Sequence, residues 1–232
     1  MKKIGILGGM SWESTAEYYR LINQSVNKKL GGVHSAEMVI FSYDFHRLER
    51  LLHQNNWSEI SDILVKGAST LKAAGAEILV LATNTAHKVA GKIEDHVDLP
   101  LIHIADATGE AILKEGLKTV GLLGTKMTME EEFYLVRLKE KFGISVVTPD
   151  VNDRQYVSDV IFKELVRGKF LDDSKVEYCK IIDKLTQSGA EGVILGCTEI
   201  PLLVKPEDTK VNLFDTTAIH TQKIVDVALA DD

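Results

Sequence analysis

Short apolar runs are separated along the chain by longer amphipathic stretches, a pattern that predicts strands alternating with helices. Strands are predicted at about 3–8, 36–43, up to Ala82, 101–104, 119–124, at Val146-Val147, and at about 193–195 and 211–214. Helices are predicted at about 15–30, 58–74, 154–166 and 172–188, with a short one inside the loop 44–56. Further helices should follow Thr85, open at Asp106 or Thr108, follow Thr128 and follow Asp215. Ser14-Thr15-Ala16-Glu17 and Thr128-Met129-Glu130-Glu131 read as capping boxes. Val193-Ile194-Leu195 has no polar alternation, as a parallel strand buried on both faces requires.

The pattern occurs twice. Gly75-Ala76-Glu77-Ile78-Leu79-Val80-Leu81-Ala82-Thr83 lines up with Gly189-Ala190-Glu191-Gly192-Val193-Ile194-Leu195-Gly196-Cys197, 114 positions apart (75 against 189). Ile4-Gly5-Ile6-Leu7-Gly8-Gly9 resembles Val120-Gly121-Leu122-Leu123-Gly124-Thr125, 116 positions apart (5 against 121). Two separated pairs at nearly one offset predict an α/β chain of two similar lobes, each a mostly parallel sheet flanked by helices. Lobe 1 is expected over 1–104 plus 215–232 and lobe 2 over 105–214, because Asp215-Thr216-Thr217 repeats Asp106-Ala107-Thr108. A pseudo-twofold axis would then place the active site in the cleft between the lobes.

Strand ends are where open α/β sheets bind ligands, which singles out Cys197-Thr198-Glu199 and, opposite it in the repeat, Thr83-Asn84-Thr85. The start, Gly8-Gly9-Met10-Ser11, reads either as a simple strand-to-helix turn or as an anion site suited to a carboxylate. It lacks the G-x-G-x-x-G spacing of a nucleotide fingerprint. Thr125-Lys126 is its counterpart in the second lobe. The amide of Asn84 and the hydroxyl of Thr85 suit an α-carboxylate. His87, facing Lys88 and solvent, and Cys179, on a helix, are read as structural, and Arg47, Arg50, His53 and Gln54 as a solvated face within reach of a substrate side-chain carboxylate.

VILGCTEIPLL over Val193 to Leu203 resembles the second signature of the aspartate/glutamate racemase family, the cofactor-independent amino-acid racemases and their relatives. The start, IGILGGMSWEST, and the segment ATNTAHK are similar to its aspartate and broad-specificity branch. The likeness covers nearly the whole chain and is most specific at Gly196-Cys197-Thr198-Glu199. It implies a racemase independent of pyridoxal phosphate, acting on aspartate and/or glutamate as a homodimer, without a cofactor. Cys197 would be the catalytic thiol, and Met10, Ser11, Asn84, Thr85, Thr125, Thr198 and Glu199 would meet the substrate.

The chain departs from the family's pattern at its first signature. The usual cysteine at or just before the Asn-Thr pair is missing, and Ala82-Thr83 stands there instead. A thiol has a pKa of about 8.5, lowered by helix N-terminal dipoles, so Cys197 is expected to supply thiolate near neutrality. Glu199 is read as orienting or deprotonating that thiol, as capping the next helix, or as doing both. Thr83 has no accessible anion. It either holds a water or another donor that reprotonates the carbanion, giving a slow or one-handed racemase, or leaves a single-thiol decarboxylase or isomerase, or a homologue that binds its amino acid without turning it over.

Composition narrows the classes. The 232 residues, 45% hydrophobic, can bury a substantial core. No apolar run approaches the ~20 residues of a membrane span. Met1-Lys2-Lys3 leads straight into a strand, so no signal peptide is expected, and two cysteines suit a reducing cytoplasm better than a disulfide framework. A net charge of −7 argues against nucleic acid, while local dipoles still permit an anionic substrate. The seven histidines show no ligand spacing, so no metal site is expected.

Overall fold

The computed structural model describes residues 1–230. The chain divides into two compact units, Met1–Ile104 together with the chain from His220 onward, and Ala105–Ile219. The first unit holds β1 (Ile4–Gly8), β2 (Met38–Ser42) and β3 (Ile78–Leu81) in the order β2-β1-β3. The second holds β4 (Thr119–Gly124), β5 (Ser145–Val147), β6 (Gly192–Gly196) and β7 (Asn212–Asp215) in the order β5-β4-β6-β7. Every strand pair is parallel. The fold is therefore α/β, with two similar lobes, as the repeat predicts.

Parallel strands need both faces covered, which explains their unbroken apolar runs. Ile4, Ile6, Ile78 and Val80 pack one face of the first sheet on Tyr18, Ile22 and Val26 of the helix Trp12–Leu30 and on Ile224, Val225 and Ala228 of the helix Thr216–Ala228. Leu7, Leu79 and Leu81 pack the other face on Leu64, Ala68 and Leu71 of the helix Trp57–Ala73. The last helix begins in the second unit, where Asp215 accepts the Thr217 and Ala218 N–H groups and the Thr216 hydroxyl donates to the Leu195 carbonyl. The chain thus returns to the first unit at His220, inside that helix, rather than at 215.

The repeat has physical causes that the two units share. Gly5 pairs with Leu79, and Gly121 pairs with Val193, in the same register. A Cβ on Gly5 would lie 3.3 Å from the Leu71 Cβ, and one on Gly121 would lie 3.3 Å from the Leu185 Cβ, so each glycine lets a helix leucine settle on its sheet. In the Gly-Ala-Glu runs, Gly75 and Gly189 turn the chain at φ of +87° and +97°, a conformation that costs glycine little. The glutamate that follows holds the next strand over: Glu77 accepts from the Lys3 N–H, and Glu191 from the Lys118 and Thr119 N–H groups.

Four local expectations are corrected. The helix expected from 15 starts at Trp12, because Ser11 is its cap and accepts the Ser14 N–H; Ser14 is an interior residue of the first turn. Likewise Thr125, not Thr128, caps the helix Lys126–Glu130. In both cases a hydroxyl one turn upstream takes the extended cap conformation, and the predicted cap is buried instead. Finally, the strand expected at 101–104 shrinks to one bridge, Leu79 to Leu101, because Ile104 already opens the helix Ile104–Lys114. Asp106 and Thr108 therefore lie inside that helix rather than at its start; Asp106 is paired with Arg137 and Lys141, and Thr108 accepts the Tyr134 hydroxyl.

Candidate functional site

In the first unit, β1 and β3 are neighbours and deliver two candidate segments side by side. After Gly8 the backbone turns at Gly9, whose φ is +79°, and a Cβ there would stand 2.3 Å from the Tyr43 carbonyl oxygen. Only glycine permits that approach. The Thr15 hydroxyl accepts the Gly9 N–H at 2.7 Å and donates to the Ser11 carbonyl at 2.8 Å, locking the loop that carries Met10 and Ser11 onto the helix behind it. Met10 leans on the sheet's apolar core, and the Ser11 hydroxyl is engaged as the helix cap.

Ala82 follows β3 and is wholly buried, while Thr83 and Thr85 are partly exposed and Asn84 is buried. The helix expected after Thr85 begins as the 3₁₀ segment Thr85–Val89 and becomes α-helical over Ala90–His96. The Ser14 hydroxyl donates to the Ala82 carbonyl at 3.0 Å. His87 does not face solvent. It is 3% exposed, with Nδ1 2.8 Å from the Thr83 carbonyl oxygen and Nε2 accepting the Ile104 N–H at 3.2 Å. Burial, and then the nearby His103 and His220 rings, hold it well below the usual histidine pKa, so it stays neutral.

In the second unit, β4 and β6 are likewise paired, ending at Gly124 and Gly196. Thr125 leaves β4, and its hydroxyl accepts the Thr128 N–H as a cap, 3.1 Å from the Thr128 hydroxyl. Cys197 leaves β6, partly buried beside Thr198 and Glu199. Its thiol donates to Glu199 Oε2 at 2.9 Å. Glu199 occupies the N-cap position of the short helix Ile200–Leu203, but its side chain makes no capping bond there and is turned to the thiol instead. The expected easy thiolate is not realised. Burial, and then the charge and hydrogen bond of Glu199, push the thiol well above its ordinary pKa, although the Thr198 and Glu199 N–H groups pull the other way. The resting state is a thiol whose proton points at a carboxylate.

Cys179 is half-buried against the Asp208 carbonyl, at 3.7 Å, where it packs. Among the described residues no group of three or more His, Cys, Asp or Glu side chains could hold a metal ion, and no helix is long and apolar enough to cross a membrane. Sequence reasoning missed the Ser14 bond to Ala82 and the role of His87. The only signal for His87 was its place four residues after Thr83, the spacing at which a 3₁₀ or helical turn returns a side chain to an upstream carbonyl.

The chain belongs to the Asp/Glu/Hydantoin racemase family, whose model matches residues 7–224. It is 24% identical over 232 residues to the broad specificity amino-acid racemase RacX of Bacillus subtilis, covering 98% of each chain. The crystal structure of a candidate Asp/Glu racemase from Yersinia pestis is 50% identical, with a TM-score of 0.94 over 99% of this chain and 100% of that one. An aspartate racemase homologue from Pyrococcus horikoshii is 39% identical, with a TM-score of 0.87 over 98% and 99%.

Proposed function

We propose that the chain is a racemase of aspartate and/or glutamate that works without pyridoxal phosphate, with Cys197 as its catalytic thiol and Thr83 in the partner's place. The observation that carries this reading is the 2.9 Å pair of the Cys197 thiol and Glu199 Oε2, in a chain of the racemase family. Glu199 takes the thiol proton, the sulfur removes the α-proton, and the electron pair left on Cα delocalises into the carboxylate. A water or another donor held by the Thr83 hydroxyl returns a proton to the other face, and the sulfur's proton leaves to solvent, so nothing is consumed overall. Run backwards, the same thiol donates. Asn84 and Thr85, with Met10 and Ser11 on the neighbouring loop, are assigned to the substrate's α-carboxylate, and Thr125 and Thr198 to its remaining polar groups. The working form is taken to be a homodimer.

The test is incorporation of solvent deuterium at Cα of L- and D-aspartate and glutamate in D2O, without added cofactor. Exchange that Cys197→Ala abolishes supports the reading; exchange that survives the substitution removes the thiol from it. A second reading follows from the protonated resting thiol, which is also suited to delivering one proton to one face of an enolate. It predicts CO2 release from a malonate-type substrate with no exchange on amino acids. A chain that only binds its ligand would raise its Tm with the amino acid and do neither.

A further inference from the structure

Three consecutive carbonyls around Thr83 are each held by a donor. The Ser14 hydroxyl holds that of Ala82 at 3.0 Å, the His87 ring holds that of Thr83 at 2.8 Å, and the His87 backbone N–H holds that of Asn84 at 3.1 Å. The Ala82 N–H is itself bonded to the Leu7 carbonyl at 3.0 Å. The ring's proton is fixed by chemistry. Nε2 faces the Ile104 N–H, which only donates, so Nε2 is the bare nitrogen and Nδ1 carries the hydrogen given to Thr83. Ser14 comes from the helix Trp12–Leu30, His87 from the segment Thr85–Val89, and Ile104 from the start of another helix. Three separate elements therefore converge on one partly exposed hydroxyl-bearing residue that belongs to no helix or strand.

A residue needed only for packing does not require this. His87 is buried, yet both its nitrogens are spent on backbone groups, one of them at the strand end. We infer that His87 and Ser14 are positioning residues for Thr83: they fix the carbonyls of residues 82 and 83, and so the direction in which the Thr83 hydroxyl meets Cα of a bound acidic amino acid. The inference rests on the functional reading above, and neither side chain is asked to touch substrate. Misplacing a reacting group by about 1 Å costs on the order of a hundredfold in rate, which sets the scale of the effect.

Two substitutions at one position separate the two bonds of the ring. In His87→Asn the amide nitrogen lies near the former Nδ1 and still donates to Thr83; in His87→Gln the amide reaches the former Nε2 and serves Ile104, leaving the Thr83 carbonyl without its donor. Both are assayed by Cα deuterium exchange at a temperature where circular dichroism shows them folded. The expected result is kcat within about threefold of the parent for His87→Asn and a fall of about tenfold or more for His87→Gln, with KM little changed in either. Ser14→Ala, a small truncation that spares the fold, should lower kcat in the same way and decides the matter should both histidine variants fail to fold. Equal kcat for His87→Asn and His87→Gln, or an unaltered kcat in Ser14→Ala, overturns the positioning role while the racemase reading stands. A parent that exchanges no Cα proton overturns the reading and this role together.

Discussion

The Cys197 thiol donates to Glu199 Oε2 at 2.9 Å, so the candidate nucleophile and the carboxylate two residues along form one proton-sharing unit. In this arrangement the carboxylate opposes the thiolate by charge until it takes the proton itself. The hydrogen bond and the carboxylate's charge both favour the protonated sulfur.

Alkylation of Cys197 by iodoacetamide, followed by mass spectrometry, reports its thiolate. The rate should rise with pH through a midpoint above the roughly 8.5 of a free cysteine. Glu199→Gln removes the opposing charge, so the midpoint should fall, while Cα exchange falls by about tenfold or more for want of a proton acceptor. A midpoint unmoved by the substitution would contradict the pairing.

Ala82 and Thr83 are adjacent but not equivalent. Ala82 is wholly buried and packs in the sheet's apolar cluster, whereas Thr83 is partly exposed. Thr83→Cys should therefore raise the Cα exchange rate, and Ala82→Cys should not, since its sulfur would overpack the core at a cost of about 1–3 kcal/mol in stability. If neither substitution raises the rate, the missing thiol is not what limits the protein.

Stability should decline in mild acid because of the buried histidines. His220, whose Nδ1 accepts the Tyr18 hydroxyl and whose Nε2 donates to the Ile102 carbonyl, is held neutral by burial, its pKa lowered to about 4. The unfolded chain binds that proton near pH 6.5. Between these values the unfolded state holds more protons, so the contribution is complete above about pH 6.5 and is lost as pH falls toward 4, amounting to about 3 kcal/mol for this residue. His87 acts in the same direction. Urea midpoints should drop steeply from pH 7 to pH 5, and His220→Gln should flatten that dependence; a flat parent profile would refute it.

Two glycines with similar φ values differ in what surrounds them. Gly9 and Gly31 have φ of +79° and +75°, but a Cβ meets the Tyr43 backbone at 2.3–2.4 Å at Gly9 and nothing within 4 Å at Gly31. Gly31→Ala should cost about 1–3 kcal/mol, the strain of a positive-φ, extended-ψ region that is essentially restricted to glycine. Gly9→Ala should cost about 2 kcal/mol more, since the backbone it strikes cannot swing aside. Urea unfolding of both reads the difference, and equal costs would show that the Gly9 loop yields.

The amino-acid sequence by itself determined the repeat, the parallel α/β class and the strand ends at Thr83 and Cys197, because these depend on local apolar runs and on glycines whose roles recur. Gly5 and Gly121 each admit one leucine, and Glu77 and Glu191 each hold the start of a neighbouring strand, so the same residues return at the same spacing. The sequence misplaced the caps at Ser14 and Thr128, since a capping pattern does not say which of two nearby hydroxyls the core will claim. Only the tertiary structure decided that Glu199 turns to the thiol rather than to the helix after it, and that burial raises the thiol's pKa against the local N–H groups. It alone joined His87 to Ile104, seventeen residues on, and Ser14 to Ala82, sixty-eight residues on. Spacing along a chain encodes which face a side chain takes. The partner it meets there, and how dry that meeting is, depends on segments brought in from elsewhere by the fold.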